Sequence, residues 1–480
     1  MTEKQKTSTI ALPAFIGMTC ALVASVRNIP TTAAAGWTMP FYMLVAVLLF
    51  ASPITLISGE YAGMFPGAGG PELWINNALG KRWGFVTSWL LWVQVFPGMV
   101  MVASVLAPSL AGALNMPDLA ENSWFTFICI LVVYWGVTLL NFKFDMAQIG
   151  GKIGVLLGLY IPMVVLFVLG FATLIKTGLN PQSSLGAFDI ERLFPDSQTV
   201  NSLQYLVPIM FIFTGIEMSS VYITRLQNPL KTYFRGIMVA LLLMAFFFVV
   251  NGFLLANAIT DSFELDNIAQ GLAVYCTILG LPSWFVNVFC VMVFIGVAVQ
   301  LSAWATGPSK TITESARRGL YPPRFRFWKT NEHDVSVSVL VTQATVISLF
   351  ALLYLLIPSV NEAFLLLVSA TAIIYNIVYL IMGVGIIRLR KTAPTQERPF
   401  TIGTKGKGNL LVWLVTVVLF VAVIGGTTAT LAETSPIDIV IELMITTVLF
   451  IAPLIIYRLH KESWQDEIDR DRQTAKSDGI

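Results

Sequence analysis

Twelve apolar segments leave this chain almost no choice of fold. They run at about 9–35, 38–61, 84–113, 123–141, 150–175, 203–223, 233–258, 283–306, 336–357, 362–386, 409–431 and 437–457. A spanning helix needs about 20 apolar residues, and in hydrocarbon its backbone groups must all be bonded internally. Only 12% of the residues are charged and 56% are hydrophobic, against about 25% charged in a soluble domain. The expectation is an all-α polytopic membrane protein.

The basic residues test the count, because cytoplasmic loops collect Lys and Arg. With a cytoplasmic N-terminus and twelve spans, 26 of the 29 basic residues fall on one side. Only Lys176 and Arg192 fall on the other, and Arg27 lies within the membrane. The opposite loops are acidic, with Asp118, Glu121, Asp189, Glu191, Asp196, Asp261, Glu264 and Asp266. Both termini are therefore expected in the cytoplasm of a multi-pass cell (inner) membrane protein. Met1 to Thr7 is polar and precedes no short apolar core with a cleavage site, so the first segment reads as a retained span.

Residues 1–460 read as one transmembrane domain and 461–480 as a charged, solvated cytoplasmic tail. Met64 to Pro71 is too rich in glycine and proline for regular helix and leads into a short helix, Glu72 to Leu79. The connection from Lys176 to Asn201 is polar and is expected to hold a short helix. Cys20, Cys129 and Cys290 lie in apolar segments and Cys276 in or beside a loop. Their spacing matches no metal or redox motif, so they read as packing residues.

Two spans carry polar interruptions. The first holds Ser25-Val26-Arg27-Asn28-Ile29-Pro30 at its middle. Proline removes a backbone donor and pushes the preceding residue from helical angles. Backbone freed in this way survives only inside protein or beside a watery cavity. The sixth span holds Gly215 and Glu217 within Phe211 to Ser220, and a mid-membrane acid marks a pathway, a partner or a switch. Interruptions five spans apart are what two inverted repeats of five spans produce. The repeats would cover about 9–175 and 203–386, with helices 1 and 6 broken and two extra helices at about 409–457.

The run Ser302-Ala303-Trp304-Ala305-Thr306-Gly307-Pro308-Ser309-Lys310, with Ala316-Arg317-Arg318-Gly319-Leu320-Tyr321-Pro322-Pro323, resembles the eighth span and following loop of amino acid–polyamine–organocation transporters. Gly307-Pro308-Ser309 is similar to the glutamate:GABA antiporter branch. Trp83-Gly84-Phe85, Gln94, Lys152-Ile153-Gly154, Gly215-Ile216-Glu217 and Gln227-Asn228-Pro229 extend the resemblance over most of the chain. It implies a leucine-transporter-like fold and exchange of an amino acid for a related amine or amino acid. One departure matters. Val23-Ala24-Ser25 stands where many relatives have a Gly-Ser-Gly-like run, and Arg27 where they have an aromatic or apolar residue. Substrate identity stays open across that difference.

Helix ends expose donors at N-termini and carbonyls at C-termini. A substrate carboxylate is expected at the N–H groups from Ser25 to Asn28, and its ammonium at the carbonyls from Phe213 to Gly215. Side-chain selectivity is assigned to Arg27, Asn28, Gln94, Phe211, Trp304 and the polar stripe Ser369, Thr371, Tyr375 and Asn376. The resemblance implies that Phe211 and Trp304 are aromatic lids; packing is the competing reading. Gln94 and the stripe serve equally as bonds between helices. Glu217 either bonds the open backbone of span 1 or acts as a proton-linked gate, and Lys152 either replaces a sodium ion or snorkels.

Arg27 decides the substrate. Unpaired in the cavity it favours an anionic, glutamate-like substrate; bridged to Glu217 it leaves a site for neutral amino acids; turned to a crevice it says nothing. The leading reading is a secondary amino-acid antiporter working by alternating access. A proton-coupled symporter and a non-transporting amino-acid sensor are the alternatives. An enzyme is not expected, since His333 and His460 pair with no nucleophile. No metal, cofactor or nucleic-acid partner is expected. The partners are the small-molecule substrate and the lipid bilayer, and a homo-oligomer is left open.

Overall fold

Ten helices among the described residues are long and apolar enough to cross a bilayer. The structure, a computed structural model, describes residues 10–65, 70–144, 154, 156–195, 205–226, 229–260, 262–332, 335–357, 359–403, 408–433 and 436–477. Lys152, Asp196, Asp261 and His333 lie outside them.

The chain opens with α1 (Leu12–Val23) and α2 (Asn28–Ala34), two short helices in line across residues 24–27. Then come α3 (Gly36–Met64), the short α4 (Gly70–Leu79), α5 (Lys81–Ala113), α6 (Ser123–Lys143) and α7 (Leu156–Thr177). The second half has α8 (Leu206–Phe211), a 3₁₀ segment Ile216–Arg225, α9 (Pro229–Ala258), α10 (Ile268–Leu279) and α11 (Trp284–Arg317). It closes with α12 (Val337–Leu356), α13 (Val360–Thr392), α14 (Gly408–Glu433), α15 (Pro436–Leu459) and α16 (Ser463–Ser477). One isolated parallel bridge, Ile10 with Leu226, is the only β pairing among the described residues.

Helix starts follow local chemistry. Asn122, Asn267 and Ser359 each accept a bond from the first turn of the helix they precede, satisfying donors that have no helical partner. α5 and α13 are the most enclosed of the long helices and α15 the least. The site therefore lies against α5 and α13, while α15 presents its apolar surface outward.

One close crossing sets the position of α11. A Cβ on Gly296 would lie 2.2 Å from the Gly158 nitrogen, and one on Gly154 would lie 3.0 Å from the Gln300 nitrogen. Backbones approach this closely only through small residues. The glycines at 154, 158 and 296 thus carry Gln300 toward the middle of the molecule.

Contacts divide the molecule into two faces. On the face that carries α4 and α16, Arg318 bonds Glu72 of α4 at 2.8 Å, and Gln465 of α16 packs on Gly319. Burial pushes the Glu72 carboxyl above its usual range, and Arg318 opposes that rise. On the other face, Ser184 N–H donates to Ile259 O at 2.8 Å and Lys176 Nζ to Ile278 O at 2.6 Å.

Two expectations need correction. The tail is not simply solvated: residues 463–477 form α16, whose Ile468 is fully buried and which packs on the turn Pro323–Phe325. The charged residues of 463–477 flank Ile468, which is the apolar position turned to the protein. Cys276 is not in a loop but buried within α10. The expected helix in the long connection is one 3₁₀ turn, Glu191–Leu193.

Candidate functional site

The site begins where α1 stops. Ala24 is extended (φ −71°, ψ 139°), and the N–H groups of Asn28 and Ile29 donate to Ser25 O and Val26 O at 3.1 and 3.0 Å. α2 then starts with no side-chain cap. Facing this gap, α8 ends at Phe211, and residues 212–215 turn through Gly215 at φ +92°. A Cβ there would meet nothing closer than 3.7 Å, so it is backbone conformation, not space, that requires glycine.

Between these segments lies a cavity of about 60 Å³. Ser25, Arg27 and Asn28 line it from the first gap, Phe211 and Thr214 from the second, Gln94 from α5, Gln300 and Trp304 from α11, and Thr371 from α13. Gln94 Nε2 donates to Leu91 O at 3.1 Å, and Thr371 Oγ1 donates to Leu367 O at 2.7 Å. Gly98 lets these helices close, since a Cβ on it would lie 3.2 Å from Thr371 Cγ2. A larger recess of about 260 Å³, near Trp37, Phe171 and Phe253, is lined by apolar residues with only the Trp37 indole N–H as a polar group. It offers almost nothing to orient a polar solute, so the smaller cavity is the candidate.

Of the residues expected at the site, Ser25, Arg27, Asn28, Gln94, Phe211 and Trp304 meet around this cavity. Gly215 lies beside it, its would-be Cβ 3.7 Å from the Trp304 ring and 4.0 Å from the Tyr375 hydroxyl. Phe213 and Ser369 are buried and do not line it.

Glu217 is fully buried and accepts from two tyrosines of α13: Tyr375 Oη to Oε1 at 2.6 Å and Tyr379 Oη to Oε2 at 2.8 Å. Gly215 N–H in turn donates to Tyr379 Oη at 2.9 Å. The carboxylate therefore ties the second gap to α13 rather than bonding the first gap or Arg27. Tyr375 and Tyr379 pack with ring centroids 5.1 Å apart, and the edge of Phe50 lies on Tyr379 at 5.6 Å. Arg27 Nη1 is buried and has no hydrogen-bond partner among the described residues. The cavity lining contains this cation, amides and hydroxyls, and no carboxylate.

Sequence reasoning missed two residues. Gln300 sits one helical turn before Trp304 and so shares its face; it is one of two amides, with Asn287, inside the eighth apolar segment. Glu60 ends the second apolar segment and is fully buried. It accepts from Arg390 Nη2, from Arg398 Nε at 3.1 Å and from Ile402 N–H at 3.0 Å. Its partners lie more than 300 positions away, where no local pattern points.

Comparison with known proteins fits this geometry. Residues 10–457 match a family model described as amino acid permease. A glutamate/gamma-aminobutyrate antiporter from Lactococcus lactis is 28% identical over 490 residues, covering 98% of this chain and 94% of that protein. An uncharacterized transporter from Legionella pneumophila is 28% identical over 399 residues, covering 82% and 83%. A crystal structure of a manganese transporter mutant from Eremococcus coleocola superposes with TM-score 0.50 at 13% identity, covering 98% of this chain and 99% of that one. That likeness concerns the fold alone.

Proposed function

The chain belongs to the amino acid permease family, a family of transporters and not enzymes, and from this we propose that it is a secondary antiporter for carboxylate-bearing amino acids. Arg27 carries the reading. Arg27 is partly buried, with its Nη1 enclosed and unpaired among the described residues; enclosing a charge without a counter-charge is unfavourable, and the buried acid at the gaps, Glu217, is already held by Tyr375 and Tyr379. The missing anion is then the substrate's side-chain carboxylate, which a guanidinium meets with paired, charge-assisted bonds. The α-carboxylate lies at the N–H groups around Ser25 to Asn28 and the ammonium at the carbonyls before Gly215.

The counter-substrate follows from the same geometry. A glutamate-like amino acid that has lost its α-carboxylate keeps both the amine and the group that Arg27 holds. Gamma-aminobutyrate, named for the Lactococcus relative, is such a molecule. Gln94, Gln300 and Thr371 would set the length of chain between the two ends, with Phe211 and Trp304 closing over it.

Architecture supports the same scheme. Twelve spans would form repeats at about 9–175 and 203–386, with two further spans at about 409–457, making the two gaps counterparts. The bias of Lys and Arg favours cytoplasmic termini.

Counterflow in proteoliposomes tests the proposal. Vesicles loaded with glutamate should take up labelled glutamate and gamma-aminobutyrate faster than empty vesicles, with glutamine and putrescine competing weakly. Uptake that needs no internal amino acid and follows an imposed pH gradient would identify a symporter instead. Binding without flux would identify a sensor.

A further inference from the structure

Away from the cavity, the connection between α9 and α10 buries an acid that meets no counter-charge among the described residues. Asp266 is 3% exposed, and its Oδ2 has no hydrogen-bond partner among them. Its surroundings are acidic or neutral on every side. Glu264, in the same segment, accepts from Asn267 Nδ2 at 2.7 Å, and Glu121 from the connection after α5 acts on Glu264 with like charge. α5 contributes Ser104, whose hydroxyl donates to Met101 O at 2.9 Å and stands beside the carboxyl. α12 contributes Tyr354, with its hydroxyl buried and unpartnered. α13 contributes Asn361, which accepts from Leu265 N–H and donates to Phe263 O, both at 2.9 Å; Glu362 beside it is exposed. Among the described residues, no lysine or arginine faces Asp266. Lys176 is engaged at the far end of α10 by Ile278 O.

We propose that Asp266 is a proton-binding site whose occupancy seats the α10 segment on the transporter. The segment is placed to act as a cover: α10 packs on α7, α11, α5 and α9, so its seating bears on two helices that line the cavity. A seated cover holds Asp266 out of water, where the neutral acid is favoured over the anion. Burial, with Glu264 adding to it, raises the carboxyl from 3.8 to about 7. The sign follows from linkage. The seated form binds the proton more tightly, so seating is fully favoured below the unshifted pKa. It weakens as pH climbs toward about 7, and above that the charged carboxyl opposes it fully. The proton comes from the face opposite α4 and α16, which is external in the proposed orientation.

Two measurements test this, one of which does not depend on transport. In vesicles with internal pH fixed, exchange from outside should rise about tenfold as external pH goes from 6 to 8. Asp266→Asn should hold the acid-limit rate at every pH, and Glu264→Gln should move the midpoint to lower pH. Independently, the buried Cys276 of α10 reports seating through labelling by a membrane-impermeant maleimide, read by mass spectrometry. The native protein should label faster than Asp266→Asn at external pH 8, by a margin that narrows at pH 5.5. An unchanged pH profile in Asp266→Asn, equal Cys276 labelling at pH 8, or an effect of external sodium in place of pH overturns the proposal. A Cys276 difference without exchange would retain the proton site and refute antiport.

Discussion

Glu60 is a fully buried charge and Arg27 a partly buried one whose Nη1 is enclosed, and the protein treats them in opposite ways. Glu60 receives two guanidinium groups and a backbone N–H, joining α3 to α13 and to the segment after it. Arg27 has a buried Nη1 with no partner among the described residues and borders a cavity that no described carboxylate lines. A charge answered from within the chain holds helices together. A charge left unanswered at a cavity is available to a ligand, and its desolvation is offset only when that ligand arrives.

The comparison breaks if the two positions respond alike. Glu60→Ala should have the largest effect, because it strands two arginines: a loss of about 3–5 kcal/mol of stability, read as thermal unfolding in detergent. A variant as stable as the native protein would show that the clamp is not structural. Gly296→Ala comes next. Its Cβ has no room against the Gly158 backbone, so about 1–3 kcal/mol should be lost, with cavity function falling as Gln300 is displaced.

Arg27→Ala should leave thermal stability nearly unchanged or raised. Its effect should appear in transport as about 10- to 100-fold weaker competition by glutamate and gamma-aminobutyrate, equivalent to about 1.4–2.8 kcal/mol, with glutamine unaffected. Equal losses for all three substrates would remove Arg27 from side-chain recognition. Tyr375→Phe should have the smallest effect, about 1 kcal/mol of stability, because Tyr379 still donates to Glu217. A loss as large as that of Glu60→Ala would mean that the two tyrosines are not interchangeable supports.

Much of this was legible in the residues, for a physical reason. The bilayer rewards continuous apolar length, so spanning helices appear as runs. Pro30, Arg27 and Gly215 disturb helix or hydrocarbon by their own chemistry, so they stand out without a structure. Gln94 stood out as an amide within such a run, and Trp304 through the family resemblance of the run from Ser302 to Lys310. Gln300 did not, because its importance comes from a backbone crossing at Gly158 and Gly296 that only two packed helices create. Asp266 read as one of several loop acids, since nothing local marks which of them becomes enclosed.

The sequence by itself determined a polytopic helical protein, the distribution of its charges and the positions at which regular helix is hardest to sustain. These depend on hydropathy, backbone chemistry and spacing along one segment. Only the tertiary structure decided the partners. Glu217 is held by Tyr375 and Tyr379, Glu60 by Arg390 and Arg398, while Arg27 and Asp266 have no counter-ion among the described residues. Charge pairing acts through space over a few ångströms, and residues hundreds of positions apart come within that distance only when the helices pack.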